Sequence, residues 1–343
     1  MAGRGERHES TRHESKMARP KALFYLTPQT ASVRSFVAHG GKIDIVVPAV
    51  YSADEQGAVS GATEARVLEA AARHGVAVMP IVVNPGFRQE TVHQMLASAE
   101  ARERVAKGLL EECRQRHYWG MQLDFENVPA ADREALTALV RDTAALLGRD
   151  GFRLSIAVMY QTASQAPGQG YARWLWENWL GAYDLPEIAK HVEFVSVMTY
   201  DQHTERTPPG PIAAYGWVEQ VLDHCLPLVG KEKLSLGIPL YGRLWYAGTV
   251  GGGGAMLTST VTAHEAAELA IGRKVEPQWD AEARAPWFSF YRDGVREYVF
   301  YNDARAFRER YGLAERRGLH GFSAWVLGAE DPDIWRELPA AAR

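Results

Sequence analysis

Strand-length apolar runs recur eight times along this chain with helical patterns between them, an alternation that leaves few architectures open. The runs cover residues 22–26, 43–50, 76–83, 121–128, 153–159, 194–200, 233–240 and 319–326. Several are apolar almost throughout, among them Ile43-Asp-Ile-Val-Val-Pro-Ala-Val50, as strands covered on both faces are. Strands alternating with helices make a parallel α/β sheet, and eight of them fit a closed (β/α)8 TIM barrel. Helices are expected at residues 63–74, 88–116, 130–147, 185–191, 216–229 and 303–310. The interval after the seventh run is too long for one helix. It holds four glycines, 251–254, and then aromatic strand-like pieces, Trp287-Phe-Ser-Phe290 and Tyr298-Val-Phe-Tyr301. A small α+β insertion is read over residues 247–301, within a barrel spanning 21–340.

At 343 residues the chain suits one such barrel, typically ~250 residues before insertions. With 46% hydrophobic and 23% charged residues, the composition is that of an ordinary globular protein with ample core. A net charge of -4 gives no basic field for nucleic acid, and no apolar run approaches the ~18–20 residues of a membrane span. Neither partner is expected, and a monomer is. Cys113 and Cys225 lack metal-ligand spacing and are too few for a disulfide framework, so no metal or cofactor is expected. The glycine run lacks the Lys-Ser/Thr follow-on of a phosphate loop. Residues 1–20 are polar and charged, without the ~7–15-residue apolar core of a secretory leader. They read as a disordered tail, with Met17 an alternative start and a cytoplasmic location by default.

In a barrel of this kind chemistry collects at the C-terminal ends of the strands. The fourth run, Gly120-Met-Gln-Leu-Asp-Phe-Glu-Asn-Val128, alternates Gln122, Asp124 and Glu126 with Met121, Leu123 and Phe125. Two carboxyls so spaced stand roughly 6–7 Å apart at the backbone, close enough to share a proton or push one pKa up. That is how a general acid is made at neutral pH. A half-exposed strand meeting water would explain an isolated Asp-x-Glu equally well. It does not explain Tyr200 and Asp201 on the sixth strand, Tyr241 on the seventh and Trp325 on the eighth, all at the same rim.

At these residues the chain resembles glycoside hydrolase family 18, which includes chitinases, peptidoglycan-active N-acetylglucosaminidases and endo-N-acetylglucosaminidases. The family's Asp-x-x-Asp-x-Asp-x-Glu strand aligns with Trp119-Gly-Met-Gln122-Leu-Asp124-Phe-Glu126, so the last two acids match and the first two are replaced. Further matches are Met198-Thr-Tyr200-Asp201, Gly237-Ile-Pro-Leu-Tyr241-Gly-Arg243 and Gly321-Phe-Ser-Ala-Trp325. The wording Asp124-Phe-Glu-Asn-Val-Pro129 and Tyr200-Asp-Gln-His203 is most similar to the branch acting on spore-cortex peptidoglycan. Proteins of that branch often carry LysM wall-binding repeats, and none is legible here.

The resemblance implies a retaining hydrolase of β-linked N-acetylglucosamine glycans in which the substrate's own 2-acetamido group is the nucleophile. Glu126 would be the general acid/base, Asp124 would orient the acetamide, and Tyr200 would bond its oxygen. Gln122, Met198, Asp201, Tyr241, Trp325 and His203 would meet the sugar, Trp325 as the floor. Gln122 can hydrogen-bond Asp124 but cannot take its charge, so the pH response should differ from the family's. Trp119 is expected to pack. For Trp174, Trp176 and Trp179 packing is favoured over a sugar groove. His203 stands open between substrate contact and structure, and Tyr25 and Asn84 are further rim candidates. The insertion should form one side of the groove. The alternative is a non-catalytic chitin-type lectin on the same barrel, disfavoured because such lectins typically lose the acid at the Glu126 position. Chitin, peptidoglycan and N-glycan are not separable by sequence.

Overall fold

The computed structural model describes residues 19–249 and 256–341. The tail to residue 18 and the glycines 251–254 lie outside the described residues. Eight parallel strands close on themselves: Lys21–Leu26, Ile45–Ala53, Ile81–Val83, Gly120–Asp124, Arg153–Met159, Val195–Met198, Leu234–Pro239 and Gly321–Trp325. The first pairs with the second, Leu23 against Ile45, and with the eighth, Lys21 against Gly321, which completes the ring. Helices cover the outside, and the fold is a (β/α)8 TIM barrel. No described helix is long and apolar enough to cross a membrane.

Strand alternation divides the side chains. On the fourth strand Met121 and Leu123, followed by Phe125, face outward into the layer shared with the helices. Inside, Leu23, Tyr25, Ile45, Val47, Met79, Ile81 and Phe194 form an apolar plug. A polar belt crosses the same interior. Gln122 donates to Ser155 (3.0 Å) and Ser196 (3.3 Å), and Ser323 joins Ser196 (2.8 Å) to Ser235 (2.6 Å). Buried hydroxyls and amides persist in a core only when paired, and these pair with one another around the ring.

Several boundaries differ from the sequence reading. The fourth strand ends at Asp124 rather than Val128, so Glu126 sits on the turn beyond it. The third run is split into Ala77–Val78 and Ile81–Val83 around Pro80, which lacks a ladder donor. The expected helix over 88–116 is two, Gln89–Ala97 and Ala99–Arg116, because Ser98 turns extended and caps the second through the Ala101 N–H at 3.1 Å. The helix expected over 303–310 runs on to Arg317, ending at Gly318 in the left-handed region. Trp119 packs at the barrel's lower end beneath the Arg153 guanidinium, 4.7 Å from the ring centre.

After Pro239 the chain leaves the barrel at its C-terminal rim. It builds an antiparallel sheet from Tyr241–Thr249, Met256–Thr262, Gln278–Asp280, Ala285–Arg292 and Val295–Phe300. Helix Ala263–Arg273, started by a Thr262/Glu265 capping box, lies against Phe288, Phe290 and Val299. Trp245 anchors this sheet to the sixth-strand loop by donating its indole N–H to the Thr204 carbonyl (3.1 Å).

Candidate active site

The C-terminal rim opens into a cavity of about 560 Å³. The barrel supplies its depth: Tyr25, Asp124, Met159, Met198 and Trp325 from five strands, with Glu126, Tyr200 and Asp201 on the turns just above. Tyr241 and Arg243 enter from the first strand of the inserted sheet, on one face because they are two residues apart. Among the described residues no other part of the insertion lines this cavity, so its contribution to the wall is these two side chains.

Glu126 is aimed by its neighbours rather than by strand geometry. Buried Asn84, at the end of the third strand, grips the Glu126 backbone on both sides. Its Oδ1 accepts the Glu126 N–H at 3.0 Å and its Nδ2 donates to the Glu126 carbonyl at 3.0 Å. The Tyr183 hydroxyl donates to the preceding Phe125 carbonyl (2.8 Å), and Asn127 follows with φ +55°. A turn so held fixes the direction of the carboxyl between Asn127 and the strand.

The two carboxyls share a dry environment. Asp124 is 5% exposed, and its Oδ1 is enclosed without a hydrogen-bond partner among the described residues. Burial pushes its pKa up to about 7. Burial also pushes Glu126 well above the usual carboxylate range, helped by the charges of Asp124 and Asp201. Both changes favour the protonated forms, since low dielectric penalises the anion. Burial likewise raises Tyr200 and Tyr241, so both phenols keep their protons and act as donors.

Asp201 is part of a charged wall. Its backbone is left-handed (φ +55°), and its Oδ1 accepts from the Tyr241 hydroxyl (2.6 Å) and from Arg243 Nη2 (2.9 Å). Arg243 reaches on to Glu205 through Nη1 at 3.3 Å. Trp325 packs on Tyr25 with ring centres 5.2 Å apart and presents its remaining surface to the cavity.

Two expected substrate contacts lie elsewhere. Gln122 is fully buried below the cavity, accepting from the Tyr25 hydroxyl (2.8 Å) and donating into the serine belt. It makes no bond to Asp124, because its amide is consumed by the belt. His203 faces its own loop, its Nδ1 2.9 Å from the Pro208 carbonyl, and does not line the cavity. Tyr25 is at the cavity and Asn84 is behind Glu126. Trp174 and Trp179 line the cavity, joined by Tyr171 and Tyr160, whereas Trp176 does not. Tyr171 and Arg243 carried no assigned role in the sequence. The signals were there, Arg243 by its alternation with Tyr241 and Tyr171 by its helical spacing from Trp174. Among the described residues no group of three or more His, Cys, Asp or Glu is arranged to hold a metal.

Comparison with known proteins decides the family. The model of Glycosyl hydrolases family 18 matches residues 22–330. The chain belongs to this family. Among its relatives, a cortical fragment-lytic enzyme of Bacillus subtilis is 27% identical over 74% of this chain and 56% of its own length. Chitotriosidase-1 of Mus musculus is 23% identical over 71% of the chain and 56% of its own length. The chain therefore spans little more than half the length of each of these two relatives. The crystal structure of the Bacillus cereus spore cortex-lytic enzyme SleL superposes with a TM-score of 0.82 at 24% identity, covering 93% of this chain and 73% of that one. The fold is thus shared with that spore cortex-lytic enzyme.

Proposed function

We propose that this protein is a retaining glycosidase that cleaves β-linked N-acetylglucosamine glycans, of chitin or peptidoglycan type, with the substrate's acetamido group as nucleophile. The observation that carries this reading is the buried, unpartnered Asp124 carboxyl beside a protonation-prone Glu126. A carboxyl biased toward its acid form is a good proton donor and a poor nucleophile, so the nucleophile comes from the sugar, as in family 18 generally. Glu126 gives its proton to the glycosidic oxygen as the C1–O bond breaks, while the acetamido oxygen forms a new bond to C1. Water then opens the oxazolinium at C1 from the face the leaving group vacated, displacing the acetamido oxygen, and Glu126 takes the water's proton, so that two inversions retain the anomeric configuration.

In its ionised form, which is populated at and above about pH 7, Asp124 supplies the acceptor that the acetamide N–H needs as positive charge develops on it. Tyr200 donates to the acetamide oxygen and holds it in line with C1. Trp325 and Tyr25 close the floor against the sugar ring. Asp201, tied to Tyr241 and Arg243, holds a negative charge near Glu126 that favours its protonated form. The cortex-lytic relative and the Asp124-Phe-Glu-Asn-Val-Pro129 wording favour peptidoglycan within this substrate class.

The test is to incubate the purified protein with N-acetylglucosamine oligosaccharides, spore-cortex peptidoglycan and a high-mannose glycoprotein, each against its de-N-acetylated counterpart where one can be made. Release of reducing ends only from acetylated β-linked substrates is the expected result. Comparable cleavage of deacetylated substrate would require a nucleophile from the protein and sink the mechanism. Binding of these glycans with no cleavage of any would return the lectin reading.

A further inference from the structure

We infer that Gln89, which does not line the cavity, is a positioning residue for the acid: it braces the left-handed turn that aims Glu126. This role rests on the glycosidase reading. The first observation is how the acid is held. Among the described residues, the hydrogen bonds made by Glu126 all go through its backbone, so its carboxyl points where the turn points it. Three consecutive residues set that direction, and each is gripped by a different side chain. The Phe125 carbonyl accepts from Tyr183, and Asn84 holds both backbone groups of Glu126. Asn127 is held through its own side chain. Its Oδ1 accepts from Gln89 Nε2 at 3.2 Å, and its Nδ2 donates to the Phe87 carbonyl at 3.2 Å.

The second observation is the backbone of Asn127. Its φ of +55° lies in the left-handed region, which a residue with a side chain adopts at some cost and Asn tolerates better than most. Relaxation of that φ would rotate the peptide joining Asn127 to Glu126 and swing the carboxyl from its line. The Asn127 side chain resists this only while both of its ends are held. Gln89 is suited to hold one of them because its amide is itself fixed. It opens helix Gln89–Ala97, and its second Nε2 hydrogen goes to Asn178 Oδ1 at 3.1 Å. Asn178 Nδ2 in turn donates to the Trp174 carbonyl at 2.7 Å.

The chemistry of the brace suits the group it aims. Asn127, Gln89 and Asn178 are neutral amides, so their bonds persist across the pH range in which Asp124 and Glu126 titrate. A lysine at position 89 could also hold Asn127, but its charge would favour the Glu126 anion and draw the acid's proton off. The groups that act on Glu126 are Asp124 from the fourth strand and Asp201 and Tyr200 from the turn after the sixth. Tyr241 faces it from the inserted sheet, Tyr25 from the first strand, and Tyr183 from behind the turn. None of these is a cation. The proton therefore stays on Glu126 through burial and neighbouring negative charge, and both depend on where the turn directs the carboxyl.

The experiment follows kcat and KM against pH for the wild type, Gln89→Leu, Asn127→Gly and the double variant. The substrate is the hexamer of β-1,4-linked N-acetylglucosamine, or solubilised cortex peptidoglycan where the hexamer is not cleaved. Gln89→Leu is expected to lower kcat about five-fold or more with KM within about two-fold. It should also move the upper pH limb of kcat/KM, where the acid loses its proton, down by about half a unit or more, because a relaxed turn lets water reach the carboxyl. In the Asn127→Gly background the partner is gone and glycine takes the left-handed region unaided, so Gln89→Leu should cost about two-fold or less. A kcat within about two-fold of wild type, an unmoved limb, or equal losses in both backgrounds overturns the role, whatever the melting temperature does. If the wild type cleaves neither substrate, the glycosidase reading has failed. The titration of Glu126, followed by carbon NMR of its labelled carboxyl with Glu126→Gln as the assignment control, then decides the brace separately. A lowered midpoint in Gln89→Leu supports it, and an unchanged one overturns it.

Discussion

Gln122 and Asp124 stand on the same inward face of one strand, two residues apart, and their surroundings are opposite. Gln122 is bonded to Tyr25, Ser155 and Ser196, while Asp124 Oδ1 has no partner among the described residues although it is as enclosed as the core. A buried polar group left unpaired costs roughly 1–3 kcal/mol, more when charged, so the protein carries that cost at one position and avoids it at its neighbour. The lower group belongs to the architecture of the barrel. On the proposed mechanism the upper one is the group that meets the substrate's acetamide.

The strongest way to break this contrast is to remove the proton donor above it. Glu126→Gln is expected to lower kcat by ~10²–10⁴-fold while glycan binding persists, since the amide keeps the shape and loses the acid. Turnover above a tenth of wild type in a stopped assay would take Glu126 out of the role. Next comes Asp124→Asn, expected to lower kcat roughly 10²-fold, because charge developing on the acetamide loses its counter-charge.

The same variant sharpens the comparison through stability. Asp124 titrates at about 7 in the folded protein against a reference of 3.8, so the native state binds the extra proton. The stability owed to that proton is complete below about pH 4 and is lost as pH rises through about 7. Asp124→Asn should therefore raise the melting temperature more at pH 8 than at pH 5. A uniform shift at both pH values would mean that Asp124 is not protonated in the native state.

Asn84→Ala removes both hydrogen bonds that aim Glu126 without touching the cavity. It should cost about 1–3 kcal/mol of stability and about ten-fold in kcat with KM little changed. Equal losses in kcat and substrate affinity would argue for a wider collapse of the rim. The smallest catalytic effect is expected from Gln122→Leu. It takes the acceptor from the Tyr25 hydroxyl and one bond each from Ser155 and Ser196, which keep Met79 and Ser323, and should lower stability by about 1–3 kcal/mol, yet change kcat only about three-fold or less. A hundred-fold loss in a folded Gln122→Leu protein would erase the distinction between the two positions.

Much of this was legible in the sequence because it is governed by local periodicity. Runs apolar on both faces, such as residues 43–50, could only be covered strands, and Asp124 and Glu126 stood out by residue type at the end of one of them. What escaped depends on contacts between distant residues. The strand stops at Asp124 because Asn84 and Tyr183 seize the next turn, which no property of Phe125 or Glu126 announces. Gln122 looked like a neighbour for Asp124 until the serines of two other strands claimed its amide. His203 carried a suggestive motif, but its own loop took its ring nitrogen. Trp174 read as an ordinary packing aromatic and Tyr171 carried no reading, since a sequence does not show that a helix buries nothing.

The ring closure itself has a consequence for how the molecule comes into being. Lys21 pairs with Gly321, so the first strand made waits for the last. At ~5–20 residues per second, translation separates the two by roughly 15–60 s. Through that interval a growing, nearly complete sheet carries open borders at its first and newest strands, and the inserted sheet between residues 241 and 300 prolongs the wait. Unpaired borders of this kind invite pairing with other chains.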